Sequence, residues 1–187
     1  MVAGNRPNPD RRPRDDYPTD PAWTRVLLLN QPLVGPVWEC AAGEGRMASV
    51  LAQHYPTRVT DISTGTDFLA STDRAPSIVT NPPYRLLDQF IEHGLQQTDR
   101  YLCLLAGWHS LAGGQRRASS IWRRTPPNRA LAIPERMKVG GAPSQFNHVW
   151  LVWDLVVPPP THTALSWHSV LNTPETPPGT GPCHTLS

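Results

Sequence analysis

Short apolar runs that each end in one polar side chain fill the middle of this chain, and they restrict it to few architectures. Val37-Trp38 ends in Glu39, Arg58-Val59-Thr60 in Asp61, and Ser77-Ile78-Val79-Thr80 in Asn81. Short apolar runs bounded by turn residues read as buried strands. Helical spacing lies between them, with Met47, Val50 and Leu51 on one segment and Leu87, Phe90, Ile91 and Leu95 on another. Strands alternating with helices form a parallel sheet covered on both faces. Ligands of such sheets bind at the carboxyl ends of the strands. Glu39, Asp61 and Asn81 all fall at that edge.

The pattern predicts strands at 36–39, 58–62, 77–80 and 101–106, and helices at 45–54 and 86–97. Residues 64–73 read as a loop, and 111–124 as a basic helix or loop. Residues 129–133 and 148–156 read as a final antiparallel pair of strands. Asp20 before Pro21 is an N-cap followed by proline at the first helical position, which starts a helix running to Leu29. Trp150 and Trp153, three apart on one strand, point to opposite faces and read as packing residues.

Proline marks the ends of the folded part. Of 22 prolines, five lie in residues 1–21 and seven in 156–187. Residues 1–15 therefore read as a disordered leader, 16–156 as one folded domain, and 157–187 as a Pro-rich disordered tail. The net charge is only +2. Its distribution is uneven, since residues 108–138 carry Arg116, Arg117, Arg123, Arg124, Arg129, Arg136 and Lys138 against the single acid Glu135. Three scattered cysteines without a C-x-x-C pair, and histidines without metal-ligand spacing, argue against a metal site and a disulfide framework. Cys103 sits in an apolar run and reads as a buried thiol. No secretory segment and no run of 18 apolar residues is present, so a cytoplasmic, reducing compartment is expected, without membrane association.

Two turns carry the chemistry. Cys40-Ala41-Ala42-Gly43-Glu44-Gly45 is a small-residue loop between strand and helix, of the kind that lets a ligand approach the backbone. Asp61, sixteen residues after Gly45, stands where nucleotide-binding sheets hold ribose hydroxyls. Asn81-Pro82-Pro83-Tyr84 follows the next strand. Asn supplies a carbonyl acceptor, the prolines fix φ and remove two donors, and Tyr84 offers a flat face.

Together with Tyr17-Pro18-Thr19, Trp23, Asp67-Phe68-Leu69 and His148 to Asp154, these segments resemble the class I S-adenosylmethionine-dependent methyltransferases. More narrowly, they look like phage- or prophage-type DNA N6-adenine methyltransferases. The resemblance covers residues 16–155 in one order, and the ordered set is far more specific than any member. It departs at Cys40, where the family often has proline, and in the short stretch from Asp61 to Ile78, which leaves little room for a third strand.

The resemblance implies an α/β, three-layer Rossmann-like sheet, mostly parallel with an antiparallel final strand. S-adenosyl-L-methionine is the implied cofactor and DNA the implied partner. Asn81 Oδ1 and the Pro82 carbonyl would hold the target amino group, and Tyr84 would stack on the base. Gly43, Gly45, Glu39 and Ala41 would pass the methionine part of the cofactor. Asp61, beside Ile62, would accept from the ribose. Asp67 would accept from the cofactor adenine with Phe68 beside it, and Tyr17 and Thr19 would close over the top. Arg116, Arg117, Arg123 and Arg124, with Trp108 and Trp122, would form the DNA face. No separate recognition domain is visible, so specificity is relaxed, lies in 108–147, or comes from a second chain. The same Asn-Pro-Pro-Tyr turn occurs in methyltransferases of guanine amino groups in RNA and of protein glutamine amides. An inactive nucleic-acid-binding relative is the remaining alternative.

Overall fold

The computed structural model describes residues 18–112, 120–136, 138–139, 142–143, 147–171 and 173–174. Tyr17, Arg116, Arg117 and the segment 1–15 lie outside the described residues, as does the stretch beyond 174.

Helix α1 spans Pro21–Asn30 and starts as its sequence demands: the Asp20 carboxylate accepts from Ala22 N at 2.9 Å, and Pro21 occupies the first turn. Strand β1 (Val37–Glu39), helix α2 (Arg46–Leu51) and strand β2 (Thr57–Val59) follow. Two 3-10 turns, Ile62–Thr64 and Phe68–Ala70, lead to β3 (Ala75–Thr80). A third such turn, Tyr84–Leu86, opens α3 (Leu87–Gln97), which buries Leu87, Phe90, Ile91 and Gly94 against β4 (Thr98–Gly107). Short helices α4 (His109–Ala112) and α5 (Ile121–Arg124) lie in the basic segment. The chain ends in β5 (Arg129–Ile133), a small hairpin of β6 (Lys138–Val139) and β7 (Ala142–Pro143), then β8 (His148–Asp154) and β9 (Ala164–Trp167).

Seven strands form one sheet in the order β2-β1-β3-β4-β8-β5-β9. Pairing is parallel across β2, β1, β3 and β4, and β8 runs antiparallel to both neighbours. The expected α/β class and the antiparallel final pair are present. One apolar cluster fills each face of the sheet. Leu27, Leu51, Val79, Leu105 and Trp150 belong to one, and Trp38, Phe90, Leu102, Leu151 and Trp153 to the other. Trp150 and Trp153 do point to opposite faces. Each indole N–H finds a carbonyl, Trp23 O and Thr125 O respectively, both at 2.9 Å. Burial of each such side chain stabilises the fold by roughly 1.5–3 kcal/mol.

Between Asp61 and Ala75 no strand forms; the two 3-10 turns take its place. Phe68 turns into the core instead, edge-on to Trp38 at 5.2 Å and against Phe90 at 5.1 Å. β2 is therefore an edge strand. Arg58 lies over the Trp38 ring, 4.3 Å from its centroid, and pairs with Asp73. A charged side chain laid over an edge discourages further strand pairing.

The structure corrects the reading of 157–187 at one place. Ala164–Trp167 pairs in parallel with β5 and forms the opposite edge of the sheet. Ala164 N donates to Asn128 O at 3.0 Å and His168 N to Ala132 O at 2.8 Å. The prolines at 158–160 precede the strand and do not interrupt it.

Candidate active site

Parallel pairing brings the carboxyl ends of β1, β2 and β3 to one edge, and the loops beyond them enclose an open cleft of about 1010 Å³. Thr19, Glu39, Ala41, Gly43, Asp61 and Ile62 line it. So do Asp67, Phe68 and Asn81. Gly45 stands behind the wall as the residue before α2. Tyr84 lies on the far side of Asn81, toward β8.

The loop 40–45 is held in shape by its neighbours. Ala42 N donates to Thr60 O at 3.1 Å and Thr60 N to Glu39 O at 2.9 Å, which carries the parallel pairing past the strand ends. Gly43 and Gly45 take φ of 51° and 77°, a left-handed region that favours glycine. Gly43 N donates to Asp61 Oδ2 at 2.9 Å. The other oxygen of Asp61 accepts from Ser63 N at 2.8 Å and Ser63 Oγ at 2.6 Å. Asp61 thus clamps the glycine loop to the second strand as well as facing the cleft.

Glu39 is 1% exposed, and its Oε1 accepts from Ala41 N at 3.3 Å. Burial, reinforced by the nearby Asp61 charge, pushes its carboxyl up to about 8. It is a neutral acid at pH 7. The adjacent Cys40 thiol, also buried, is pushed up by the same desolvation and is inert as a thiol. Asp67 caps the second 3-10 turn, with Oδ1 accepting from Leu69 N at 2.9 Å. Phe68 is fixed by packing and forms part of the floor. Met47 and Phe90 complete the apolar lining; sequence reasoning places both on buried helix faces without showing that those faces end at the cleft.

Asn81 follows β3. Its Nδ2 donates to Thr19 Oγ1 at 3.0 Å, while its Oδ1 is buried and has no partner among the described residues. Pro82 is buried, and the Pro83 carbonyl accepts from Leu86 N at 2.8 Å, which fixes the turn into α3. The Tyr84 hydroxyl meets His148 Nε2 at 2.8 Å. In the sequence His148 appears only as the start of a strand, with no sign of this contact. It is 2% exposed, and burial, with a smaller contribution from the neighbouring His109 imidazole, pushes its imidazole down to about 4.

Arg123 and Arg124 are exposed at the end of α5, and Arg124 lies 3.8 Å from Glu92. Among the described residues, no cluster of His, Cys, Asp and Glu could hold a metal ion, and no helix is long and apolar enough to cross a membrane.

No protein-family model and no curated protein matches the chain. Solved structures do. A protein from Listeria monocytogenes assigned to the class I S-adenosylmethionine-dependent methyltransferases aligns over 83% of this chain and 67% of its own, with TM-score 0.56 and 14% identity. The type I restriction-modification methyltransferase subunit from Streptococcus thermophilus aligns over 74% of this chain and 44% of its own, with TM-score 0.52 and 9% identity. The 23S rRNA methyltransferase ErmE aligns over 76% of this chain and 72% of its own, with TM-score 0.51 and 13% identity. The fold is that of the class I methyltransferases. Within that fold, the cleft and the buried Asn81 oxygen, without a partner among the described residues, stand together at the sheet's carboxyl edge.

Proposed function

We propose that this protein transfers a methyl group from S-adenosylmethionine to the N6 amino group of adenine in DNA. The observation that carries the reading is Asn81 Oδ1, a buried acceptor without a partner among the described residues, just after β3 and lining the same cleft as the glycine loop and Asp61. A buried acceptor left unpaired costs about 1–3 kcal/mol, a cost that an incoming N–H removes.

The residues present fit the cofactor. Ile62, 68% exposed at the cleft, and Leu69 offer apolar surface for a flat ring. Asp61 has acceptor capacity for ribose hydroxyls, Asp67 for an exocyclic amine, and Ala41 and Gly43 give close backbone approach. When bound, the cofactor supplies a methyl group already activated on a sulfonium, so the protein has to align and not to activate. Asn81 Oδ1 and the Pro82 carbonyl accept the two N–H bonds of the target amine, which localises and aims its lone pair. Tyr84 stacks on the flipped base, and base–aromatic stacking contributes about 1–3 kcal/mol. Alignment of this kind supplies roughly 7–11 kcal/mol toward a barrier.

Arg123 and Arg124, with the arginines that neighbour them in sequence, supply phosphate contacts. The chain spans less than half the length of the Streptococcus subunit. A separate specificity chain is one source of sequence recognition in this reading, beside the basic segment 108–147 and relaxed specificity.

The test is expression in a host lacking adenine methylation, followed by single-molecule sequencing for N6-methyladenine. Modified adenines support the reading, and scattered modification without a sequence context supports the separate specificity chain. No modification of DNA, with cofactor still bound by the purified protein, overturns it in favour of an RNA amino group, a protein amide, or an inactive nucleic-acid-binding relative.

A further inference from the structure

Tyr84 leaves β3 and reaches across the end of β4 to touch β8, two strands away. The contact is between its hydroxyl and Nε2 of His148, the first residue of β8. The ring centroids are 6.3 Å apart and tilted by 41°. So long a separation beside so short a hydrogen bond means that the imidazole meets the phenol end-on and covers neither face of the ring. Resting on the methyl-transfer reading above, we propose that His148 is a positioning residue: it grips the Tyr84 hydroxyl from within the sheet and so fixes the Tyr84 ring as the platform for the group presented to Asn81.

Three further observations support this role. His148 is anchored by sheet pairing on both sides, to Gly107 of β4 and Ile133 of β5, so its grip is as rigid as the core. At Gly107 a Cβ would lie 2.6 Å from the His109 ring, which places that ring against the end of β4 that pairs with His148. The imidazole is buried, and its Nδ1 has no hydrogen-bond partner among the described residues. Tyr84 therefore supplies the hydrogen bond that this ring makes among the described residues. His109 is the titratable group beside it, and burial first of all lowers the His148 imidazole. A neutral imidazole and a phenol hold one another without a net charge close to the target.

The experiment is a double-mutant cycle with Tyr84→Phe, His148→Leu and the conservative His148→Gln, whose amide N–H can replace the Nε2 contact. Single-turnover methylation of a duplex, 2-aminopurine fluorescence at the target position, and cofactor affinity are read together. Tyr84→Phe and His148→Leu should each lower the methylation rate about ten-fold, the size of one hydrogen bond's contribution. The double variant should be no slower than either single one. His148→Gln should recover most of the rate, and cofactor affinity should stay constant. Multiplying effects, a His148→Gln no better than His148→Leu, or a parallel fall in cofactor affinity would overturn the role. Imidazole 15N shifts supply a readout independent of substrate: the His148 signals should move in Tyr84→Phe, and unchanged shifts overturn the pairing even if DNA is methylated. A wild-type protein that leaves DNA unmodified overturns the reading on which the role rests.

Discussion

Asn81 and Thr19, 62 positions apart, meet side chain to side chain, with Asn81 Nδ2 donating to Thr19 Oγ1 at 3.0 Å. The bond turns the amide so that Oδ1 is left buried, with no partner among the described residues. A segment read as a cover for the cofactor thus also aims the acceptor for the target. Asn81→Ala should abolish transfer while leaving cofactor affinity within a few-fold, as measured by titration calorimetry. Thr19→Val keeps shape and removes the acceptor; it should slow transfer by roughly 2–13-fold, the span of a 0.5–1.5 kcal/mol hydrogen bond. A collapse of cofactor affinity in Asn81→Ala would contradict this division of labour.

Asp61 joins two jobs, since one oxygen holds Gly43 N and the other holds Ser63. Asp61→Ala should weaken cofactor binding by about ten-fold or more, because hydrogen bonds to a charged group contribute roughly 1.5–3 kcal/mol. Asp61→Asn retains one acceptor oxygen and should fall between the two. Unchanged affinity in the alanine variant would mean that another acid holds the ribose.

The sequence made Glu39 and Asn81 legible because each closes a short apolar run that forms a buried strand. Asp61 closes Arg58-Val59-Thr60, where the structure places an edge strand with Val59 50% exposed rather than the buried strand its sequence suggests. The shortage of residues between Asp61 and Ile78 pointed to the missing third strand, and the 3-10 turns occupy that interval. Other features depend on residues distant in the chain. Nothing local shows that Asp61 reaches back 18 residues to Gly43, or that Tyr84 meets His148 64 residues on. β9 was hidden by composition: with Leu165 50% and Trp167 64% exposed, it carries little of the apolar signal of a core strand. Its pairing with β5 is a backbone matter that side-chain patterning does not report.

Arg123 and Arg124 provide a test of the nucleic-acid face. If each neutralises one phosphate, replacing both with alanine should weaken DNA binding evenly across sequences. The slope of log affinity against log salt should become shallower by roughly 0.9 for each phosphate of duplex DNA that is no longer neutralised. Fluorescence anisotropy over a salt series measures both. An unaltered slope would place the phosphate-binding groups elsewhere. Glu92, 3.8 Å from Arg124, competes with phosphate for that guanidinium, so Glu92→Gln should leave the slope unchanged or make it steeper.

Glu39 should leave a mark on stability and on cofactor binding. Its carboxyl is raised from 4.5 to about 8 in the fold, chiefly by burial. Between those values the folded protein keeps a proton that the unfolded chain releases, so this group's contribution falls as pH rises through the window and levels off above about 8. His148 acts in the opposite sense at lower pH. Its imidazole is lowered from 6.5 to about 4, so its contribution is lost as pH falls through that range. The Glu39 signature is therefore cleanest from pH 6.5 to 8, where wild-type stability should decline relative to Glu39→Gln in denaturant titrations. A cation near Glu39 favours the ionised form. Binding of the sulfonium cofactor at pH 7 should accordingly release a proton, visible by calorimetry in buffers of different ionisation enthalpy. Glu39→Gln should bind without that release. Equal proton release in both proteins would show that Glu39 does not sense the cofactor's charge.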